Sequence, residues 1–341
     1  MTSGPKSLTQ PPESLKEAVD WVLCMSGYDG IAEYQKGQDA IKTLAAQVKQ
    51  FFNRASVSSV AVGVEGLFNG DTSGKFGSNA PIASLASGLK GLIQYPNGMG
   101  IENYAYSYSD GNPSQTVNDE KSAKMFLATI PLIYFGLGFF FWKCKGGWKN
   151  LTLGSGPLKR FMNTIGFTGQ LDTSNKASEA GSWFSSFDEF RGVESSPKTF
   201  TEYLKEVKEQ TTKTLSSDPN YVPLGALYLF TFKYFKEHKS DLPTNDGIPQ
   251  NAEELTSLLQ KLGEAVNITQ LGSLTTLSKA YNNLSDAIDK ALKTPDPVEE
   301  SSVAGPVSGA VVTAGLLGGG SAVYFNLGGA GTFLRGILRI P

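Results

Sequence analysis

The chain has 341 residues, enough for two domains or for one large domain with a tail. Apolar residues make up 40% and charged residues 18%, so the composition can fill a core and is not that of a disordered chain. Thirty Lys+Arg stand against 32 Asp+Glu, a formal net charge of −2 that argues against non-specific nucleic-acid binding, and one histidine with two cysteines excludes a His-rich zinc site.

Residues 1–13 read as a loose polar arm. Ser14-Leu15-Lys16-Glu17 is a capping box, in which Ser14 accepts from the third helical N–H and Glu17 reaches back to the cap. Leu15, Val19, Val22 and Leu23 share one face of the helix this opens, and Gly27 ends it. Ile41, Leu44, Val48 and Phe51 predict a second helix over 31–54, the two forming an antiparallel hairpin. Residues 55–80 are rich in Gly and Ser and read as a long loop. Pro81 opens a helix with Ile82, Leu85, Leu89 and Leu92 on one face, ending near Tyr95. Residues 99–118 are polar and tyrosine-rich and read as an exposed loop.

Met125 to Trp142 is an 18-residue run without charge. A helix apolar all round lies either in a large core or in lipid. Lysines flank it on both sides, Lys121 and Lys124 before and Lys143, Lys145 and Lys149 after, so charge assigns no orientation. Pro131 predicts a kink. We read a buried core helix, with a second membrane span as the alternative.

Leu158 to Ile165 predicts a short helix stopped by Gly166. Residues 168–198 read as loop, with an aromatic cluster at Trp183, Phe184, Phe187 and Phe190. Helices follow over 199–215 and 222–235, then a linker over 243–250 and a helix from the Asn251 cap to Val266. Leu274, Leu277, Tyr281, Leu284, Ile288 and Ala291 recur at 3-4-3-4-3 spacing. That pattern makes either a helix-pairing seam for a partner or one amphipathic helix packed on its own domain.

Chemistry is sparse. No phosphate-binding loop, dinucleotide fingerprint or nucleophile elbow occurs in its required context, and no cofactor is expected. His238 ends an apolar run and reads as a helix-end charge. Cys24 and Cys144 allow either one long-range disulfide or two buried thiols. Asn-x-Ser/Thr triplets stand at Asn150, Asn267 and Asn283, about the number chance supplies.

The C-terminal stretch differs. Residues 295–300 form a stiff acidic, Pro-rich stalk, and the 34 residues from Ser301 to Leu334 carry no charge. That is long enough for a transmembrane helix. Gly305 and Gly309, with Gly315 and Gly319, would let a second helix approach closely. Arg335 and Arg339 follow without an acid, so the short tail is expected in the cytoplasm and the rest outside. The expected fold is mainly α: an irregular multi-helix ectodomain with long loops, then a single C-terminal transmembrane helix. Its parts are an arm (1–13), a helical extracellular domain (14–293), a stalk (294–300), a membrane segment (301–334) and a basic tail (335–341).

Four stretches, in order, resemble one family. They are Pro12 to Leu23 with Gly27-Tyr28-Asp29-Gly30; Pro81 to Tyr95; Phe126 to Tyr134 leading into Trp142-Lys143-Cys144 and Gly147-Trp148; and the Gly-rich end with Asn326-Leu327-Gly328-Gly329 and the basic tail. Together they resemble the variant erythrocyte surface antigens of Babesia parasites, as a short, cysteine-poor member. The resemblance implies a non-enzymatic protein on the infected red-cell membrane, anchored once near its C-terminus and serving antigenic variation. For some members it implies adhesion to a host endothelial receptor, or pairing with a related antigen subunit. The loops 55–80, 99–118 and 168–198 are the expected variable surface. The alternative is a membrane-anchored assembly or adaptor protein pairing through the 274–291 helix and the Gly-rich anchor.

Overall fold

A computed structural model of the chain describes residues 4–27, 34–52, 58–69, 104–167, 177–178, 199–217, 224–239, 241–243, 246–267 and 275–294. The chain divides after Pro297, and all of these residues belong to the first unit, Met1–Pro297. Among them the protein is mainly α, with ten helices and no strand: α1 Leu15–Met25, α2 Tyr34–Phe52, α3 Ser58–Asn69, α4 Pro113–Thr116, α5 Glu120–Lys145, α6 Gly156–Thr164, α7 Phe200–Ser217, α8 Leu224–His238, α9 Ala252–Ala265 and α10 Thr275–Lys293.

Helix α5 is the hub, packing on α1, α2, α8 and α10. The Asp119 carboxylate caps its start, accepting from the Ser122 N–H at 2.7 Å, and Lys143 and Lys145 sit in its last turn, where the helix dipole favours cations. Among the described residues it is the one helix long and apolar enough to cross a bilayer, yet 94% of its most apolar stretch is buried inside the protein. Its faces are taken up by aromatic packing: Tyr134 stacks on Tyr228 of α8 at 5.1 Å, Phe139 meets Phe200 of α7 edge-on at 5.1 Å, and Phe140 stacks on Phe161 of α6 at 6.1 Å. A core helix surrounded by helices has no polar face, which explains the all-round apolar run. Gly136 is where α1 crosses most closely: a Cβ there would sit within 2.4 Å of a Leu15 methyl.

The helix ends follow their local signals. Ser14 Oγ accepts from the Glu17 N–H at 3.2 Å, and the Glu17 carboxylate returns to the Glu13 N–H at 2.7 Å. Gly27 stops α1 at φ 75° and Gly166 follows α6 at φ 103°. Asn251 Oδ1 accepts from the Glu254 N–H at 2.8 Å to start α9.

Four expectations need correction. Residues 58–69 of the supposed 55–80 loop form α3, which buries Val64 and Phe68 against α2 and the core. Its glycines and serines are weak helix formers, but tertiary burial outweighs their propensity. The supposed exposed loop 99–118 is, over 104–118, a strap in the core, with Tyr104 9% and Tyr108 0% exposed. The arm is not loose: Lys6 and Ser107–Ser109 exchange backbone bonds of 2.8 and 3.0 Å, and the Leu8 carbonyl accepts from Trp21 Nε1 at 2.8 Å. The 243–250 linker buries Gly247, Ile248 and Pro249, and the Gly247 carbonyl accepts from the Tyr228 hydroxyl. For the arm and the strap the partner is about ninety or more residues away in sequence. The expected helix over 81–95 and the aromatic cluster at 183–190 lie outside the described residues.

Candidate functional site

A charged side chain is almost never fully buried unless it is paired. Lys16 and Asp20, one turn apart on α1, are 4% and 0% exposed, and they define the most elaborate polar cluster among the described residues. Lys16 Nζ donates to Asp20 Oδ2 at 2.5 Å, to the Ala105 carbonyl at 2.9 Å and to Ser107 Oγ at 3.0 Å, which uses all three of its protons. Asp20 Oδ1 accepts from the Tyr104 hydroxyl at 2.6 Å, and its Oδ2 also accepts from the Ser107 N–H at 2.8 Å. The ammonium lies 4.8 Å from the Tyr104 ring centre. Burial and the Asp20 charge push the Tyr104 hydroxyl well above its ordinary pKa. The Lys16 and Asp20 charges are both paired and buried, while Ala105 and Ser107 carry the cluster to the surface. It clasps the strap to α1 and presents no group poised for proton transfer to a substrate.

A second, partly exposed network lies near it. Lys6 Nζ donates to Glu17 at 2.7 Å and to Glu13 at 3.2 Å, and Lys279 of α10 reaches Glu13 at 3.2 Å. The Lys279 and Lys6 ammoniums hold the Glu13 carboxyl below its usual pKa. The arm is thereby tied to the last described helix. Sequence reasoning missed both networks, because each joins residues about ninety or more positions apart. The one available signal was the Lys16/Asp20 pair on an otherwise apolar helix.

Cys24 and Cys144 are both buried and not disulfide-bonded. The packing of α1 on α5 explains why. Leu15 meets Gly136 while Trp21 meets Phe126, ring centres 6.5 Å apart, so α1 runs antiparallel to α5 and carries Cys24 towards the start of α5. Cys144 lies eighteen residues beyond Phe126, roughly 27 Å along the helix. A disulfide needs Cα atoms within about 7 Å.

The α10 seam closes within the chain. Leu277, Tyr281, Leu284, Ile288 and Ala291 are buried, and α10 packs on α9, α5 and α6. The Tyr281 hydroxyl donates to the Ala128 carbonyl of α5 at 2.9 Å. The seam residues are therefore not available to a coiled-coil partner in this fold. Leu274 lies outside the described residues, as do Gly305, Gly309, Gly315, Gly319, Arg335 and Arg339, together with the whole stalk from Pro295, the 301–334 segment and the tail.

His238 is exposed at the end of α8, its Nδ1 2.7 Å from the Tyr234 carbonyl and its ring against that tyrosine. Among the described residues no three His, Cys, Asp or Glu side chains are grouped to hold a metal. An open cleft at the start of α9 is lined by Pro243, Gly247, Pro249, Glu253, Glu254, Ser257 and Leu258. Glu254 is already committed there, accepting from the Gln250 N–H at 2.9 Å and from Asn251 Nδ2 at 3.1 Å. No protein-family model, curated protein or solved structure matches this chain.

Proposed function

We propose that this chain is a non-enzymatic surface protein of the variant-antigen type, displayed on an infected red cell. Its helical ectodomain, residues 14–293, stands outside the cell; residues 301–334 cross the membrane once; Arg335 and Arg339 hold the tail in the cytoplasm. Its work is antigenic variation, with a host endothelial receptor or a related antigen subunit as partner. The observation that carries this reading is the fate of the most apolar helix. Because α5 is enclosed by the helices around it, it is committed to the core, and the remaining uncharged stretch of bilayer length is 301–334. The order of the four family-like stretches supports the same reading.

Topology on intact infected cells tests it. One epitope tag is placed ahead of Met1, next to the exposed Gly4, and another after Pro341. The first tag is expected to stain on intact cells and the second only after permeabilisation. Staining of neither tag before permeabilisation places the protein inside and ends the antigen reading. An exposed C-terminal tag overturns the orientation.

A further inference from the structure

The three Asn-x-Ser/Thr triplets are equivalent in sequence, and the fold makes them unequal. Asn283-Leu284-Ser285 lies in the middle of α10, where Asn283 is half-buried and Leu284 and Ser285 are 1% and 2% exposed. A bulky, hydrophilic glycan there would collide with packed helices. Asn267 is exposed just after α9, but Ile268 and Thr269 lie outside the described residues. Asn150-Leu151-Thr152 is described throughout and is not helical: Asn150 is exposed, Leu151 and Thr152 are half-buried, and the Leu151 carbonyl accepts from the Ala177 N–H at 2.8 Å. It follows the turn after α5, in which the Trp148 N–H donates to the Lys143 carbonyl and the Leu151 N–H to the Trp148 carbonyl, each at 2.8 Å. Trp148 is held in the core at 1% exposed, and Asn150 is exposed. The residues after Asn150 include no proline before Thr152 or directly behind it. Thr152 supports the local fold through its carbonyl, which accepts from the Ser155 N–H at 2.9 Å and from Ser155 Oγ at 2.8 Å.

We infer that Asn150 is an N-glycan acceptor. The inference rests on the surface-protein reading, because the donor, a polyprenyl-pyrophosphate-linked oligosaccharide, is met in the secretory lumen. In the transfer, Asn150 Nδ2 forms a bond to the anomeric carbon of the first sugar. The bond from that carbon to the pyrophosphate oxygen breaks, the lipid pyrophosphate leaves, and Nδ2 gives up one proton to the transferase. The Thr152 hydroxyl is the second element of recognition. The acceptor lies just past the C-terminal end of α5, beside the exposed Lys149.

The test uses the full chain in cultured mammalian cells, expressed both unchanged and with an added cleavable secretion signal. Peptide N-glycosidase treatment converts a glycosylated Asn to Asp, which peptide mass spectrometry locates. Conversion is expected at Asn150 and not at Asn283. It should be lost in Asn150→Gln and in Thr152→Ala, the latter keeping the Asn150 side chain, and retained in Thr152→Ser. An unmodified Asn150 in the secreted, signal-bearing chain overturns the inference, and so does conversion confined to Asn267 or Asn283. Staining of the unchanged chain on intact cells separates the two claims. A chain that stains but carries no glycan at Asn150 sinks this inference and leaves the surface reading standing. A chain that never leaves the cytosol sinks both, whatever the signal-bearing form shows.

Discussion

The Tyr281 hydroxyl of α10 donates to the Ala128 carbonyl of α5 at 2.9 Å, just ahead of Pro131 inside that helix. The bond falls in the stretch of α5 that Pro131 interrupts. Proline has no N–H and its ring crowds the preceding turn, which opens the helix and frees polar groups in a dry core. The hydroxyl supplies a donor to one buried carbonyl of that stretch. Burial pushes that hydroxyl well above its ordinary pKa, so it keeps its proton.

Tyr281→Phe keeps the ring and removes this bridge. It should cost about 1–3 kcal/mol, the penalty for leaving buried polar groups unpaired. Urea unfolding should show a lower midpoint with an unchanged slope. An unchanged midpoint would mean that this bond adds nothing to stability.

The Lys16–Asp20 clasp makes a second prediction. Removing one partner leaves the other charge buried, so Asp20→Ala should cost about 3–5 kcal/mol. Replacing both by apolar residues of similar volume should cost less than either single change. The readout is amide exchange at Ser107, whose N–H is bonded to Asp20 at 2.8 Å. Equal protection in wild type and Asp20→Ala would show that the strap is held without the clasp, by Tyr108 and the Lys6 backbone bonds.

Glu13 gives the pH dependence. Its folded pKa is depressed by Lys279 and Lys6. Its contribution is therefore present above the unfolded value of about 4.3 and is lost as the pH falls through the folded value. Amide exchange should show residues 4–13 loosening first below about pH 4. Glu13→Gln should loosen the arm already at neutral pH and remove that acid step.

The thiols supply the fourth prediction. Both are buried, and burial pushes the Cys144 thiol well above its ordinary pKa, so little thiolate is present at neutral pH. Neither should react with a maleimide reagent in the native protein, and both should react after unfolding without prior reduction. Labelling that needs a reductant would show a disulfide and contradict the antiparallel packing of α1 on α5.

How much of this was legible in the sequence depends on range. Ser14/Glu17, Asn251/Glu254, Gly27 and Gly166 announced helix ends, because a cap is made by residues three or four positions away. The 3-4 spacing from Leu277 to Ala291 announced an amphipathic helix. It could not announce that the seam closes on α9 and α5, because periodicity defines a face and not what covers it. The tyrosines at 104–108 looked like loop because their partners, Lys16, Asp20 and Gln10, come from the other end of the chain.

The sequence by itself determined the helical class, most helix boundaries, the absence of any nucleotide-binding or zinc-site motif, and two stretches apolar enough for a bilayer. Only the tertiary structure decided which residues are buried together. It placed Met125–Trp142 at the centre of the bundle, separated Cys24 from Cys144, locked the arm and the strap onto α1, and left Asn150 exposed while burying Ser285. The reason is physical: propensity and capping are local energies, whereas burial is shared between surfaces that the chain brings together only when it folds.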